Sequence, residues 1–178
     1  PKKCGHMMGR RVVPAEDMAA KIRVAVQTRT DPNFMIIART DARTTHGLDE
    51  ALRRAEMYAK AGADMLFVES PESVEEMERI GRSFDLPLVA NMVEGGKTPV
   101  QSAAELGERG FKIVIFPGGT ARAVLHTLQG YYASLHAHQT TRPWQDHMLD
   151  FDGLNAVIET PQLLALGQSF EQGPPRLK

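Results

Sequence analysis

The chain has 178 residues, of which 42% are hydrophobic and 24% charged, and this is typical of a soluble domain that contains helices. Its formal net charge of −1 gives no electrostatic basis for binding nucleic acid or an anionic membrane. Its apolar runs fall far short of the ~20 residues that span a bilayer. A single cysteine excludes an internal disulfide, so we expect a cytoplasmic protein.

The predicted elements begin with a helix over residues 15–28, where Met18, Ile22 and Val26 recur at helical spacing. Four near-continuous apolar runs follow: FMIIAR (34–39), MLFVE (65–69), LPLVAN (86–91) and FKIVIF (111–116). Such runs are typical of parallel strands that are covered on both faces. Apolar residues at helical spacing predict further helices at 48–58, 74–77 and 124–135.

Local signals indicate where these helices begin and end. Two segments each predict a helix with the hydroxyl residue at its N-cap: Ser70-Pro71, and Thr98-Pro99 with Gln101 at the position that completes a capping box. Gly62 and Gly110 stand between helices and strands, where glycines that end helices are expected. The stretch after residue 135 is less regular, a last helix is predicted over 160–170, and the end EQGPPRLK is expected to be disordered.

The strand starts lie roughly 25–30 residues apart, which is the scale of a βα unit. Four such units do not close a (β/α)₈ barrel, which typically needs ~250 residues. Two α/β folds therefore stay open: a doubly wound sheet, or the second half of a barrel whose N-terminal half is missing from this chain. The start PKKCGH, without an initiator methionine, favours the fragment.

Polar side chains stand where three of the predicted strands end: Arg39, Glu69 and Asn91. Functional groups of parallel α/β folds collect at this edge of the sheet. Arg39 suits a substrate carboxylate or phosphate, with a structural surface role as the alternative. Glu69 is either a strand-end acid bonded to backbone or a group for acid–base work or contact with metal-bound water. Asn91 is either a turn former or a donor to substrate, and Asp41 is expected to cap or to pair with Arg39 or Arg43.

Two glycine-rich loops, GGKTP (95–99) and PGGT (117–120), each precede a predicted helix. Glycine permits close backbone approach, and a helix N-terminus favours anions, so these loops form a weak pattern for a phosphate site. Ordinary turns are the alternative interpretation.

The only cysteine, Cys4, lies in the charged stretch PKKCGH. A lone cysteine is often a buried, inert thiol, but burial is not expected between lysines and a Gly-His pair. Lys2, Lys3 and His6 would stabilise a thiolate. Cys4 is therefore a candidate reactive thiol.

Four segments together resemble the isocitrate lyase and phosphoenolpyruvate mutase superfamily. KKCGH (2–6) resembles its active-site loop, and IIARTDA (36–42), LFVES (66–70) and ANMVEGGKTP (90–99) follow in the family's order and at fitting spacings. The resemblance covers roughly residues 1–135 and is closest to the small members, which include methylisocitrate lyase and 2,3-dimethylmalate lyase.

The resemblance implies an architecture. The fold would be a (β/α)₈ TIM-type barrel of which this chain holds strands 5–8, in a homotetramer with helix exchange. Residues 1–135 would then contain the active-site loop and four βα units. Residues 136–178 would form a C-terminal helical extension that packs on a neighbouring subunit and has a disordered end.

The resemblance also implies an activity: Mg²⁺-dependent carbon–carbon lyase chemistry, with Mn²⁺ as a substitute metal. Retro-aldol cleavage of a 2-hydroxy di- or tricarboxylate would release a 2-oxo acid, pyruvate or glyoxylate, and a second carboxylic acid. The alternatives are a phosphonomutase, an oxaloacetate decarboxylase or hydrolase of the same superfamily, and an inactive half-barrel fragment. The primary aspartate ligands of the metal are not in this chain. The residues assigned to the site are Cys4 as general acid, Glu69 against metal-bound water, and Gly5, His6, Arg39 and Asn91 for substrate binding.

Overall fold

The computed structural model describes residues 9–171. The predicted site residues Cys4, Gly5 and His6 lie outside this range, as do residues 172–178 of the predicted disordered end. The elements in chain order are α1 (Ala15–Thr28), β1 (Ile37–Thr40), α2 (Arg43–His46), α3 (Leu48–Lys60), β2 (Met65–Val68), α4 (Val74–Arg82), β3 (Leu88–Asn91), α5 (Ala103–Glu108), β4 (Phe111–Ile115), α6 (Gly119–His138), a 3₁₀ helix (Arg142–His147), α7 (Phe151–Val157) and α8 (Thr160–Glu171). All four predicted strands and the helices at 15–28 and 160–170 are confirmed. A short helix, α7, lies in the stretch that was expected to be irregular.

The chain divides into two compact units between Ala121 and Arg122, within α6. The first contains the four strands and α1–α5, and the second contains most of α6, the 3₁₀ helix, α7 and α8. The domain division at residues 135 and 136 that the resemblance implies stays a prediction. Across residues 9–171, no helix is both long enough and apolar enough to cross a membrane.

The sheet is parallel, and its strands lie side by side in chain order, β1-β2-β3-β4. The register pairs Arg39 with Phe67 and Asn91 with Ile115, so the carboxyl ends of the strands lie at one edge. A doubly wound sheet reverses its strand order partway across and carries helices on both faces. The order found here does not reverse.

Helices α1, α3, α4 and α5 all pack on one face of this sheet. Their buried residues share one core with alternate strand residues, and these include Ala19, Ile22, Ala51, Ala55, Tyr58, Met77, Ile80 and Leu106 from the helices and Ala38, Leu66, Val68, Leu88 and Ala90 from the strands. A separate cluster of Met65, Phe67 and Val89 lies on the opposite face, where Ile37, Ile113 and Ile115 are exposed. The expectation that the strands are covered on both faces is confirmed for β2, whose four residues are all buried, and is wrong for β1 and β4, which expose Ile37, Ile113 and Ile115. The doubly wound alternative is wrong as well.

The predicted N-caps at Ser70 and Thr98 are wrong. Helix α4 begins after Ser73, whose side chain accepts a hydrogen bond from the backbone N–H of Glu76. Helix α5 begins after Ser102, which forms a reciprocal capping box with Glu105. Ser102 and Glu105 satisfy two backbone donors at the start of α5, and Ser73 satisfies one at the start of α4. Gln101, which was expected to complete a capping box with Thr98, instead donates from its side chain to the carbonyl of Val100. The glycines that were predicted to end helices, Gly62 and Gly110, are confirmed, with φ of +102° and +93°.

Gly81 lies where α4 meets the end of α5, and it leaves no room for a side chain. A Cβ at this position would lie 1.8 Å from the carbonyl oxygen of Arg109, which is backbone and cannot rotate away. We expect Gly81→Ala to lower the free energy of unfolding by about 1–3 kcal/mol or more. Gly107→Ala is the matched control, because a Cβ at this α5 position meets nothing within 4 Å. There alanine should be neutral or stabilise by up to about 1 kcal/mol. Urea denaturation measures both, and equal midpoints would contradict the close packing.

Asp64 joins the end of α1 to the start of β1. Its Oδ2 accepts hydrogen bonds from the backbone N–H of Ile36 at 2.7 Å and from Arg29 Nη1 at 2.5 Å. The Ile36 hydrogen bond, followed by the one from Arg29, lowers the pKa of this carboxyl. A lowered pKa stabilises the fold at pH values above the ordinary range of the group, and this stabilisation is lost as the pH falls through the folded-state pKa.

We therefore expect Asp64→Asn to lower the free energy of unfolding at pH 7 by on the order of 1–2 kcal/mol, as for a hydrogen bond to a charged group. The difference from the unmodified protein should shrink as the pH falls into the acid range. Urea midpoints from pH 7 to pH 3 measure this, and a difference that is constant across this range would contradict it.

Candidate active site at the carboxyl ends of the strands

Arg39, Glu69 and Asn91 lie together at the carboxyl ends of β1, β2 and β3. Alternation along the strands puts all three on the face opposite helices α1–α5, in line with Phe67 and Val89. Arg39 Nη2 lies 3.1 Å from Glu69 Oε2, and Asn91 Nδ2 lies 3.3 Å from both carboxylate oxygens of Glu69. The structure thus joins the three strand-end residues that the sequence singled out into one hydrogen-bonded group.

Glu69 is the buried centre of this group, with its side chain 0% exposed. Besides Arg39 and Asn91, it accepts a hydrogen bond from Ser70 Oγ at 3.0 Å. Its backbone N–H donates to the carbonyl of Thr40 at 3.0 Å. A buried carboxylate is tolerated only when it is paired and hydrogen-bonded, and here both conditions are met. The interactions hold Glu69 in a fixed orientation.

Ser70 has a φ of +59°, in the left-handed region that non-glycine residues seldom adopt. It is buried, and its hydroxyl donates to Glu69. Backbone strain of this kind persists only where the surrounding structure enforces it, and it is common at functional sites. Sequence reasoning placed Ser70 at a helix start and missed its contact with Glu69.

Arg39 is held from several sides. Its Nε and Nη2 both donate to the carboxylate of Asp41 at 3.0 Å, and its guanidinium lies 4.8 Å above the ring centroid of Phe67. The expected pairing of Asp41 with Arg39 is confirmed. Arg43 instead forms ion pairs with Glu72 and Glu76 at 2.8 and 2.6 Å. Because the Arg39 guanidinium donates two hydrogen bonds to one carboxylate and stacks on the Phe67 ring, the orientation of its plane is fixed.

Arg10 also belongs to this group, and sequence reasoning missed it. Its Nη1 donates to Asp41 Oδ1 at 2.9 Å, and its Nη2 donates to the hydroxyl of Thr44. Its side chain is only 4% exposed, although it stands beside the exposed Arg11. Two adjacent arginines outside any periodic segment gave no signal that one of them is buried.

Asn91 presents an unusual acceptor. Its Oδ1 is buried and has no hydrogen-bond partner among residues 9–171. Buried polar atoms in proteins nearly always have a partner, in the protein or in bound water or ligand. The position is therefore suited to a bound group that donates a hydrogen bond.

Ion pairs join the loops that follow β1, β2 and β3. Arg43, the first residue of α2, pairs with Glu72 in the loop after β2 and with Glu76 in the first turn of α4. Lys97, from the third loop, lies 3.4 Å from the same Glu72. The Glu76 hydrogen bond is the largest cause that raises the pKa of Arg43. This network fixes the three loops around the carboxyl ends of the strands.

The described residues do not make a direct Mg²⁺ site. Mg²⁺ takes six oxygen ligands in an octahedron, and residues 9–171 hold no group of three or more His, Cys, Asp or Glu side chains that could bind a metal ion. Glu69 already accepts hydrogen bonds on both oxygens, and one of them faces Arg39 at 3.1 Å. Contact between Glu69 and metal-bound water stays a prediction.

The loop PGGT (117–120), which its sequence made a weak candidate for a phosphate site, lies beside the carboxylate of Glu94. A Cβ on Gly119, the first residue of α6, would lie 3.2 Å from a carboxylate oxygen of Glu94. A carboxylate beside this helix N-terminus repels a second anion. The ordinary-turn interpretation is therefore favoured at this loop.

A cavity of about 690 Å³ borders the site on the side of β1. Its lining includes Arg10, Arg39, Asp41, Arg54 and Tyr58. Arg54 donates to Glu50 and to the carbonyl of Val13, both at 2.7 Å, and does not belong to the Glu69 group.

These features define a singly wound parallel α/β protein with a polar site at the carboxyl ends of its strands. The sequence profile of the phosphoenolpyruvate phosphomutase family matches residues 3–136, so the chain belongs to that family. The resemblance drawn from its motifs is thereby confirmed.

Several relatives are named lyases. The chain is 43% identical over 173 residues to a 2,3-dimethylmalate lyase of Eubacterium barkeri, which covers 97% of this chain and 60% of that protein. It is 48% identical over 125 residues to a 2-methylisocitrate lyase of Aeropyrum pernix, covering 70% of this chain and 40% of the relative. The chain thus spans about 60% or less of the length of these curated relatives.

Solved structures agree with the fold. A crystal structure of 2,3-dimethylmalate lyase, described as a member of the PEP mutase/isocitrate lyase superfamily, superposes with a TM-score of 0.81 at 32% identity and covers 99% of this chain and 60% of that one. A phosphonopyruvate hydrolase solved with oxalate and Mg²⁺ gives a TM-score of 0.76, covering 93% of this chain and 60% of that one. At 21% identity, the hydrolase shows the shared fold alone.

Proposed function

We propose that this chain is part of a carbon–carbon lyase that cleaves a 2-hydroxy di- or tricarboxylate by a retro-aldol reaction. The products would be a 2-oxo acid, pyruvate or glyoxylate, and a second carboxylic acid. The observation that carries the proposal is the hydrogen-bonded group of Arg39, Glu69 and Asn91 at the carboxyl ends of three neighbouring strands. Membership of the family and the lyase names of the relatives support it.

In this proposal, the chain's own residues bind and orient the substrate. The Arg39 guanidinium binds a substrate carboxylate, and its plane is set by Asp41 and Phe67. Asn91 lies against the second fragment, and its buried Oδ1 accepts a hydrogen bond from a hydroxyl or a bound water there, since a carboxylate has no hydrogen to donate. Glu69 holds both side chains in position, and it would contact a bound Mg²⁺, or Mn²⁺ in its place, only through water. The metal would stabilise the negative charge that develops on the 2-oxo acid. Gly5 and His6 contribute to substrate binding.

Cys4 supplies a proton in this mechanism. As the carbon–carbon bond breaks, the 2-hydroxy group gives its proton to a water molecule in the site and becomes the carbonyl of the 2-oxo acid. The electron pair of the broken bond remains on the carbon beside the second carboxylate. Cys4 donates its proton to that carbanion, which completes the second acid. A thiol near lysines has a pKa close enough to neutrality for this role.

We further propose that the chain forms strands 5–8 of a (β/α)₈ barrel. The face opposite helices α1–α5 supports this, because Ile37, Ile113 and Ile115 are exposed there beside the buried Met65, Phe67 and Val89. In a closed barrel this face would be the packed interior. In the same proposal residues 1–135 contain the active-site loop and four βα units, and 136–178 are an extension that packs on a neighbouring subunit of a homotetramer. Exposed Phe151, Leu163 and Phe170 of α7 and α8 support that packing.

The test is an assay of the complete protein with Mg²⁺ against a panel of 2-hydroxy di- and tricarboxylates, detecting pyruvate and glyoxylate. Release of either product from one of them supports the lyase. Turnover of oxaloacetate or a phosphonate alone would replace the lyase by a hydrolase, decarboxylase or mutase. Intact mass of the active material tests the barrel proposal. Activity from a chain of this mass alone would make the half-barrel assignment wrong, and a folded but inactive chain of this mass would be the half-barrel fragment.

A further inference from the structure

We propose that Arg10 is a positioning residue of this site, which holds Asp41 and thereby sets the plane of the Arg39 guanidinium. The proposal rests on the proposed binding of a substrate carboxylate by Arg39. Arg10 does not itself contact the substrate in this scheme.

Hydrogen bonds and an ion pair connect Arg10 through Asp41 and Arg39 to the buried carboxylate of Glu69. Arg10 Nη1 donates to Asp41 Oδ1 at 2.9 Å, and Arg39 Nη2 donates to the same oxygen at 3.0 Å. Arg39 Nη2 also lies 3.1 Å from Glu69 Oε2. A carboxylate shared by two guanidinium groups cannot rotate without breaking hydrogen bonds to one of them. Arg10 thus limits the orientations that Asp41, and with it Arg39, can adopt.

Charge gives a second reason. Within residues 9–171, Arg39 faces two carboxylates, Asp41 and Glu69. Arg10 brings a further guanidinium to Asp41 and so adds positive charge beside Arg39. Its side chain is 4% exposed, so solvent screens this charge little. Arg10 therefore makes the surroundings of the Arg39 guanidinium more favourable for a substrate carboxylate.

A purely structural arginine stands nearby for comparison. Arg54 lines the same cavity, and its side chain is 9% exposed, which is close to the value for Arg10. Its bonds go to Glu50 and the Val13 carbonyl, not to Asp41. Arg10→Ala and Arg54→Ala should therefore both lower the stability of the fold, but only the first should disturb Arg39.

Kinetics of the complete protein test the proposal. We expect Arg10→Ala to raise KM roughly 10- to 100-fold with a smaller change in kcat, since binding of the anion is weakened before and during the reaction. Arg10→Lys should recover part of the loss through its charge. Added guanidinium ion should also restore part of the activity of Arg10→Ala, whereas urea, which has a similar shape and no charge, should not. Arg54→Ala should leave KM near that of the unmodified protein. Equal effects of Arg10→Ala and Arg54→Ala on KM, or rescue by urea as well, would overturn the proposal.

A structural readout separates this inference from the lyase proposal. In crystal structures of Arg10→Ala and Arg10→Lys, the two hydrogen bonds from Arg39 to Asp41 should be broken or the guanidinium plane should be rotated. The crystal structure of Arg54→Ala should retain both hydrogen bonds. An unchanged contact in Arg10→Ala, or in Arg10→Lys if the alanine variant does not fold, would overturn the positioning role whatever the reaction is. If no 2-hydroxy acid is cleaved but the contact changes as expected, the lyase proposal fails and the positioning of Arg39 stands.

Discussion

Arg39→Ala lowers kcat/KM of the complete protein by roughly 30- to 4,000-fold in our prediction. The range corresponds to about 2–5 kcal/mol, the loss that follows truncation of one partner of a buried, hydrogen-bonded charge pair. The variant removes the group that is proposed to bind a substrate carboxylate. Arg39→Lys should recover only part of the loss, because an ammonium lacks the planar fork that donates to Asp41 at two points. Steady-state kinetics measure both variants.

The structure adds a stability effect to this prediction. Removing Arg39 leaves Glu69, whose side chain is 0% exposed, without its guanidinium partner. Loss of one partner of a buried pair is strongly destabilising, since the remaining charge is not compensated. We expect Glu69→Gln combined with Arg39→Ala to regain stability, but not activity. Full activity of Arg39→Ala would remove the residue from the site, and recovery of activity by the double variant would reduce Arg39 to a structural partner of Glu69.

Much of the fold could be predicted from sequence because the strands are short apolar runs. The runs around Ala38, Leu66 and Ala90 pack into the helix-covered core, and their length and spacing fit parallel βα units. Their coverage could not be predicted in the same way. Ile37 and Ile113 are apolar, so the runs predict burial on both faces, yet helices α1–α5 cover only one. Hydrophobicity records which side chains can be buried, and it does not identify the partner that buries them.

The helix starts illustrate a different limit. Proline after Ser70 and Thr98 indicated N-caps there, but the capping residues are Ser73 and Ser102. The signal was present in the sequence, because glutamate follows each serine three positions later. At Ser70 the hydroxyl donates to the preceding residue, Glu69, and does not cap a helix.

Some residues of the candidate site could be predicted from the sequence and others could not. Arg39, Glu69 and Asn91 could be predicted as neighbours because the carboxyl ends of parallel strands share one edge. Arg10 could not, because its contact with Asp41 joins residues 31 positions apart and depends on the path of a non-periodic segment. The unpartnered Oδ1 of Asn91 is likewise visible only in three dimensions. The roles of Cys4, Gly5 and His6 stay predictions, since these residues lie outside the described range.

Cys4→Ser should separate the chemistry from the fold more sharply than any other substitution. Cys4 lies in a polar, glycine-containing stretch, so we expect serine to change the free energy of unfolding by less than about 0.5 kcal/mol, as a surface substitution does. Serine is a far weaker acid than a thiol, and the carbanion would then have to take its proton from water. General acid catalysis contributes about 10²–10⁴-fold, and we expect kcat to fall within or beyond that range while substrate binding is retained.

Two controls define what this loss means. Cys4→Ala should lower kcat about as much as Cys4→Ser, because neither side chain donates a proton readily. A thiol-alkylating reagent should inactivate the unmodified enzyme at the one cysteine of this chain, and bound product should slow the inactivation. Turnover of a 2-hydroxy acid by Cys4→Ser at close to the unmodified rate would mean that the carbanion receives its proton elsewhere. That result would contradict the proposed mechanism and favour a decarboxylase or mutase, in which no thiol acid is required.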